Sequence, residues 1–256
     1  MTTFTPAPGA APLHRMIRAQ ALIETRLLMR NGEQLLIALV IPLLVLVGGL
    51  ESGELVDLGA GRRVDVLTPG VLALAVMSSA FTSLAIATGF ERRYGVLKRL
   101  GASPLPRAGL LAGKTGAVLL VESLQIAVLA VTAAVLGWHP SGGVVAVVAA
   151  AMFVLLGTLA FGALALALAG TLRAEATLAA ANLVYLLLLA VGGVVVPLDR
   201  YPEAVRPLIE LLPSGALAEG LRDGLTGQGV AWTAALVLAG WAAAGVALVG
   251  RTFRWE

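Results

Sequence analysis

Three clusters in this 256-residue sequence combine residue types that could do chemistry. The first is "AGLLAGKTGA", residues 108–117. A phosphate cradle needs a glycine, four residues, then Gly-Lys-Ser/Thr, so that backbone N–H groups surround the phosphate. Gly113-Lys114-Thr115 supplies the second half, but Ala108 stands where the first glycine is required and Gly109 is one residue out. The stretch also follows "SPLPR" and runs directly into an apolar segment, so the phosphate reading is rejected. Lys114 is expected to snorkel to headgroups at a membrane edge. The second cluster is Glu122 and Gln125, about one turn apart within an apolar run. A carboxylate there is costly, about 2.5–3.5 kcal/mol on insertion scales for the comparable Asp. It is either a group that meets substrate or drives a switch, or a protonated or paired carboxyl joining helices, with Asn182, Ser78, Ser79 or Thr82 as partners. The third is "ERRYGVLKRLGASPLPR", residues 91–107, the densest run of charge in the chain. Cysteine is absent, which excludes disulfides, thiolate metal sites and a cysteine nucleophile. His14 and His139 are far apart and have no metal-like spacing to another ligand.

The elements that must position these clusters follow from composition. The chain is 59% hydrophobic and 13% charged, with a mean hydropathy of +0.93. Soluble domains carry about 25% charged residues, and the uncharged runs here exceed the roughly 20 residues that cross a bilayer. An all-α integral membrane protein is expected, because a helix satisfies its own backbone in lipid. Runs such as "GVVAVVAAAMFVLLGTLAFGALALALAG" do not alternate as barrel strands would. Six spans are placed at 34–50, 67–90, 112–137, 143–170, 177–197 and 230–250, within a transmembrane domain over 34–250. Thirteen lysines and arginines then fall on the side of the termini and five on the other. Both termini, including the tail at 251–256, are therefore expected in the cytoplasm of a plasma-membrane protein. Residues 1–33 have no cleavable leader pattern. Within them Leu13, Met16, Ile17, Ile23, Leu27 and Leu28 share a helical face opposite Arg15, Arg18 and Arg26, with Glu24 and Gln20 blurring the stripe. That pattern suits an interfacial amphipathic helix or an ordinary juxtamembrane one.

The stretch 67–107 resembles the ABC-2 class of ABC-transporter permeases, especially the drug-resistance exporter branch typified by daunorubicin-resistance membrane subunits. The resemblance rests on Pro69-Gly70, a Ser/Thr-rich helix, Glu91-Arg92, Gly95, Leu97-Lys98-Arg99-Leu100 and Pro104. Val96 stands where members commonly have Thr. Residues 191–225 resemble the same family's outward loop, through Val196-Pro197, Leu212-Pro213, Leu217 and Leu221-Arg222. The resemblance implies that the fifth span ends at Val196-Pro197, and that a re-entrant or interfacial segment occupies about 198–229.

It further implies that about 91–103 is a cytoplasmic coupling helix docking into a groove of an ATPase subunit. Tyr94, Val96, Leu97 and Leu100 would give its apolar side, and Glu91, Arg92, Arg93, Lys98 and Arg99 would orient it. Gly101 and Pro104 would end it. The chain would then hold no cofactor and catalyse nothing itself, because ATP and Mg belong to the ATPase. Two ATPases and a second permease copy or relative are implied, with membrane lipid and a hydrophobic substrate as further partners and no nucleic acid. The resemblance ranks drug-like export first, with lipid or cell-surface glycan export as the alternative. An ion-gradient transporter ranks below both, since it would need several mid-membrane ionisable groups or broken helices in two matching halves.

Overall fold

The computed structural model describes residues 9–52 and 61–252, with the side chains of 33–35 and 37 outside the described set. Parts of both expected tails and half of the loop expected at 51–66 thus lie outside it. The elements are α1 (Leu13–Arg30), α2 (Gly32–Glu51), α3 (Arg63–Val76), a π-helical segment (Met77–Ser83), α4 (Leu84–Arg93), α5 (Val96–Gly101), α6 (Arg107–Val135), α7 (Gly143–Thr171) and α8 (Ala174–Val191). A 3-10 turn (Leu198–Arg200) then leads to α9 (Arg206–Leu211), α10 (Pro213–Leu225) and α11 (Trp232–Thr252). The one extended pairing among the described residues is a bridge between Ser141 and Thr226. The protein is all-α.

Five helices among the described residues are long and apolar enough to cross a membrane: Arg63–Arg93, Arg107–Val135, Gly143–Thr171, Ala174–Val191 and Trp232–Thr252. The expected first span falls on α2, whose described apolar stretch runs Ala38–Glu51. Arg63–Arg93 is one continuous helix through α3, the π-segment and α4, and it is the core: 78% of its spanning window is buried, against 22–39% for the other four. The chain ends α4, starts α6, ends α7 and starts α8 at one end of the bundle, where α1 also lies. This is the end that the basic count assigns to the cytoplasm, called the basic end below.

Close helix approach explains the glycines. A Cβ on Gly109 would meet Leu105, Leu13 and Ile17, one on Gly113 would sit 2.7 Å from Gln20 Cγ, and one on Gly116 would touch Ala21. The spacing that mimics a phosphate loop is therefore a groove in α6 that receives α1, as small residues do between membrane helices.

The segment expected as the outward loop is built into the bundle. Leu212-Pro213 starts α10 with proline at the first helical turn, where its missing N–H costs nothing. Eleven of the thirteen α10 residues are buried, among α3, α7 and α11. Gly220 makes room for the Phe153 ring, and Gly157 makes room for the fully buried Leu217. One expectation needs correcting here. The fifth span stops at Val191, before Val196-Pro197, because Gly192 and Gly193 (φ 72°) turn the chain back into the protein.

Candidate functional site

Glu91, Arg92 and Arg93 are consecutive on the last turn of α4, so their side chains leave the helix about 100° apart. Each reaches a different element. Glu91 Oε1 accepts from Lys114 Nζ of α6 at 2.8 Å, and the same ammonium donates to Glu24 Oε1 of α1 at 2.8 Å. Gln20 Nε2 donates to Glu24 Oε1 at 2.8 Å. Arg92 donates from Nη1 to Gly170 O at 2.5 Å and from Nη2 to Leu172 O, taking up carbonyls that the end of α7 leaves without a helical partner. Arg93 pairs with Glu175 in the first turn of α8, where a carboxylate is favoured by the helix dipole. Three residues thus tie four other helices to the core span.

Lys114 does not snorkel. It is 2% exposed and held between two carboxylates. An uncompensated buried charge is strongly unfavourable, so Glu24 and Lys114, each out of place on its own helix, account for one another. The α1 helix accordingly packs along α6 instead of resting on the membrane surface alone.

The helix expected over about 91–103 is two pieces. Tyr94 ends α4, Gly95 takes a left-handed φ of 69°, and α5 spans only Val96–Gly101. A left-handed bend of this kind suits glycine, which lacks Cβ. Two assignments change with it. Leu97 is 1% exposed, so it packs within the chain and offers nothing to a partner. Glu91 and Arg92 bond inward as described. What the segment presents outward is Tyr94 (63% exposed), Val96 (36%), Lys98 and Arg99, with Leu100 half-buried beside them. Tyr94 also lies over Phe90 and under the Arg93 guanidinium. The segment ends at Gly101, and the break through Pro104 and Pro106 precedes α6.

Glu122 and Gln125 do not converge. Glu122 is fully buried and its Oε2 lies 2.6 Å from Thr158 Oγ1 of α7; none of the four expected residues is its partner. Gln125 accepts from Ser79 Oγ of the π-segment at 2.5 Å and donates to Ala38 O of α2 at 2.7 Å. A π-turn inside a helix frequently marks a functional site, and sequence periodicity carries no sign of it. A narrow crevice of about 30 Å³ runs from the Glu24–Lys114 pair past Ala117 and Val121 to Ser79 and Ser83 of this π-segment.

At the opposite end Arg222 is buried and donates to Gly193 O (3.1 Å), Val194 O (2.7 Å) and Glu219 Oε2 (3.3 Å). Burial holds the Glu219 carboxyl above its usual range, with the Arg222 guanidinium pulling the other way. A Cβ on Gly70 would sit 2.0 Å from Val194 O. Pro69-Gly70 and Leu221-Arg222, separate in sequence, thus grip the same turn. Pro197 precedes the 3-10 turn, and Pro213 and Leu217 place α10 in the core.

A continuous core span, a charged elbow at one end and a short buried helix at the other, among several helices apolar enough to cross a membrane, define a multi-span α-helical membrane protein. The sequence profile described as ABC-2 type transporter matches residues 12–226. The chain belongs to the ABC-2 type transporter family, as the membrane permease component of an ABC transporter. No curated protein matches it at a significant level.

Proposed function

We propose that this chain is the membrane half of an ATP-driven exporter and that Tyr94, Val96, Lys98 and Arg99, with Leu100 at the rim, form the surface on which a cytoplasmic ATPase docks. The observation that carries this reading is the division of labour in residues 91–101. Charges at the end of α4 are used inside the chain, while the bend at Gly95 leaves an aromatic, an aliphatic and two cations facing outward. Apolar anchors rimmed by charge suit a protein partner. Movement of that partner would pass through Glu91 to Lys114 and α1, and through Arg92 and Arg93 to α7 and α8, so one push would reach several spans together. The basic end would then face the cytoplasm, with two ATPases serving a pair of permeases. The cargo class is a hydrophobic or amphipathic, drug-like compound. It rests on the branch resemblance.

The test is reconstitution of the chain with its cognate ATPase in liposomes, following an amphipathic fluorescent dye. ATP-dependent movement of the dye that requires both proteins supports the reading. Dye movement driven by a proton or sodium gradient without the ATPase would replace it with an ion-coupled mechanism. An inert dye together with ATP-dependent movement of a labelled lipid would replace the drug-like cargo.

A further inference from the structure

Two spanning helices end beside each other at the basic end: the core span stops at Arg93, and α8 starts at Ala174. Between them lies an open cavity of about 460 Å³, lined by Gly89, Arg92, Arg93, Arg173, Ala174 and Glu175. Three guanidiniums there face one carboxylate, which leaves two positive charges in excess. Arg92 is held by the Gly170 and Leu172 carbonyls, which are neutral, so its charge meets no acid. Arg93 pairs with Glu175, and both of these side chains are half exposed or more.

Arg173 pairs with nothing. It is exposed, and its guanidinium bonds to no other described residue. It also stands at the N-cap of α8 without a capping bond, where a cation is disfavoured. A positive-inside bias alone leaves cations scattered along a loop, as Lys98 and Arg99 are. It gives no reason to gather three of them around one cavity.

The depth of the cavity selects the anion. Gly89, on its wall, is buried within the core span, and its other wall is the first turn of α8. This is the level at which both helices leave hydrocarbon, and lipid phosphates lie just beyond it. Basic pockets between transmembrane helices at that level suit anionic headgroups. A guanidinium matches a phosphate with two parallel N–H donors.

We propose that this cavity binds the phosphate of an anionic membrane phospholipid, with Arg173 as the free anchor and Arg92 and Arg93 beside it. Glu175 competes with the lipid for Arg93. The site is separate from the surface assigned to the ATPase, since none of Tyr94, Val96, Lys98 and Arg99 lines it.

The test is native mass spectrometry of the detergent-purified chain, titrated with phosphatidylglycerol or with phosphatidylcholine of the same acyl chains. The expected result is a phosphatidylglycerol retained about tenfold more tightly than phosphatidylcholine. Arg173→Gln should remove most of that preference without lowering the lipid-free melting temperature, because its side chain holds nothing in the fold. Arg99→Gln, which removes an exposed cation at the same end but outside the cavity, should leave the preference intact. Glu175→Gln should tighten phosphatidylglycerol binding severalfold by releasing Arg93. The inference is overturned by full preference in Arg173→Gln, or by an equal loss in Arg99→Gln, which would mean diffuse attraction to the basic end. Glycerol phosphate that displaces the lipid at matching concentration would replace it with a soluble phosphate ligand. No lipid preference, together with loss of the ATPase by Arg173→Gln in a pull-down, would give the cavity to the ATPase contact instead.

Discussion

Lys114 and Arg222 are two buried cations at opposite ends of the bundle, and they are held in different ways. Lys114 is matched by side chains, Glu24 and Glu91, that come from α1 and α4. Arg222 is matched mainly by backbone, the carbonyls of Gly193 and Val194, with Glu219 one turn away on its own helix. Side-chain ion pairs can exchange partners as helices shift. Backbone carbonyls of a turn whose Val194 O is pressed against Gly70 cannot. The contrast suits an assembly that receives movement at its basic end and keeps a fixed frame at the other.

Substitutions sharpen that contrast. The largest effect is expected from Arg222→Met, which strands two carbonyls that each accept a charge-assisted bond. At roughly 1.5–3 kcal/mol per bond the loss is about 3–6 kcal/mol. Adding Glu219→Gln should restore none of it, because the orphaned groups are backbone; thermal melting in detergent reads both variants. Lys114→Met leaves two buried carboxylates facing each other and should cost about 3–5 kcal/mol. Here, by contrast, adding Glu24→Gln and Glu91→Gln should recover most of the loss, since a neutral cluster replaces a charged one. Equal rescue at both ends would erase the distinction.

Glu24→Gln alone should cost less than about 1 kcal/mol, because a matched Lys114–Glu91 pair remains and the amide still fills the site. The smallest change is expected for Glu122→Gln. A glutamine can donate to Thr158 Oγ1 while that hydroxyl donates to Val154 O, 2.8 Å away, so both bonds persist. Stability within about 0.5 kcal/mol and full transport would leave Glu122 as a link between α6 and α7. Loss of transport in a stable variant would make it a working group.

Much of this arrangement is legible in the sequence, for identifiable reasons. Long uncharged runs mark the spans, and the break at Pro104 and Pro106 marks the start of α6. Motif order pointed to both ends of the molecule. The sequence could not show that Glu24 and Lys114, ninety residues apart, cancel one another. Each was visible as a misfit on its helix, and pairing such misfits would have been the signal. Leu97 was misplaced because the wheel of one continuous helix does not survive the bend at Gly95, which rotates every residue after it. At 198–229, the spacing of Gly215, Gly220 and Gly224 marks the close packing that buries α10, whereas the family resemblance implies only a re-entrant or interfacial segment.

The central claim is that the outward face of the elbow at 94–100, and not its buried residues, receives the ATPase. The most direct measurement compares Tyr94→Asp/Val96→Asp with wild type in a pull-down of the cognate ATPase, with the permease's melting temperature taken from the same preparations. The account predicts an unchanged melting temperature and at least about a tenfold loss of bound ATPase, the equivalent of 1.4 kcal/mol. Leu97→Asp, placed inside the chain, should instead lower the melting temperature. Wild-type ATPase binding by a stably folded Tyr94→Asp/Val96→Asp permease would contradict the claim.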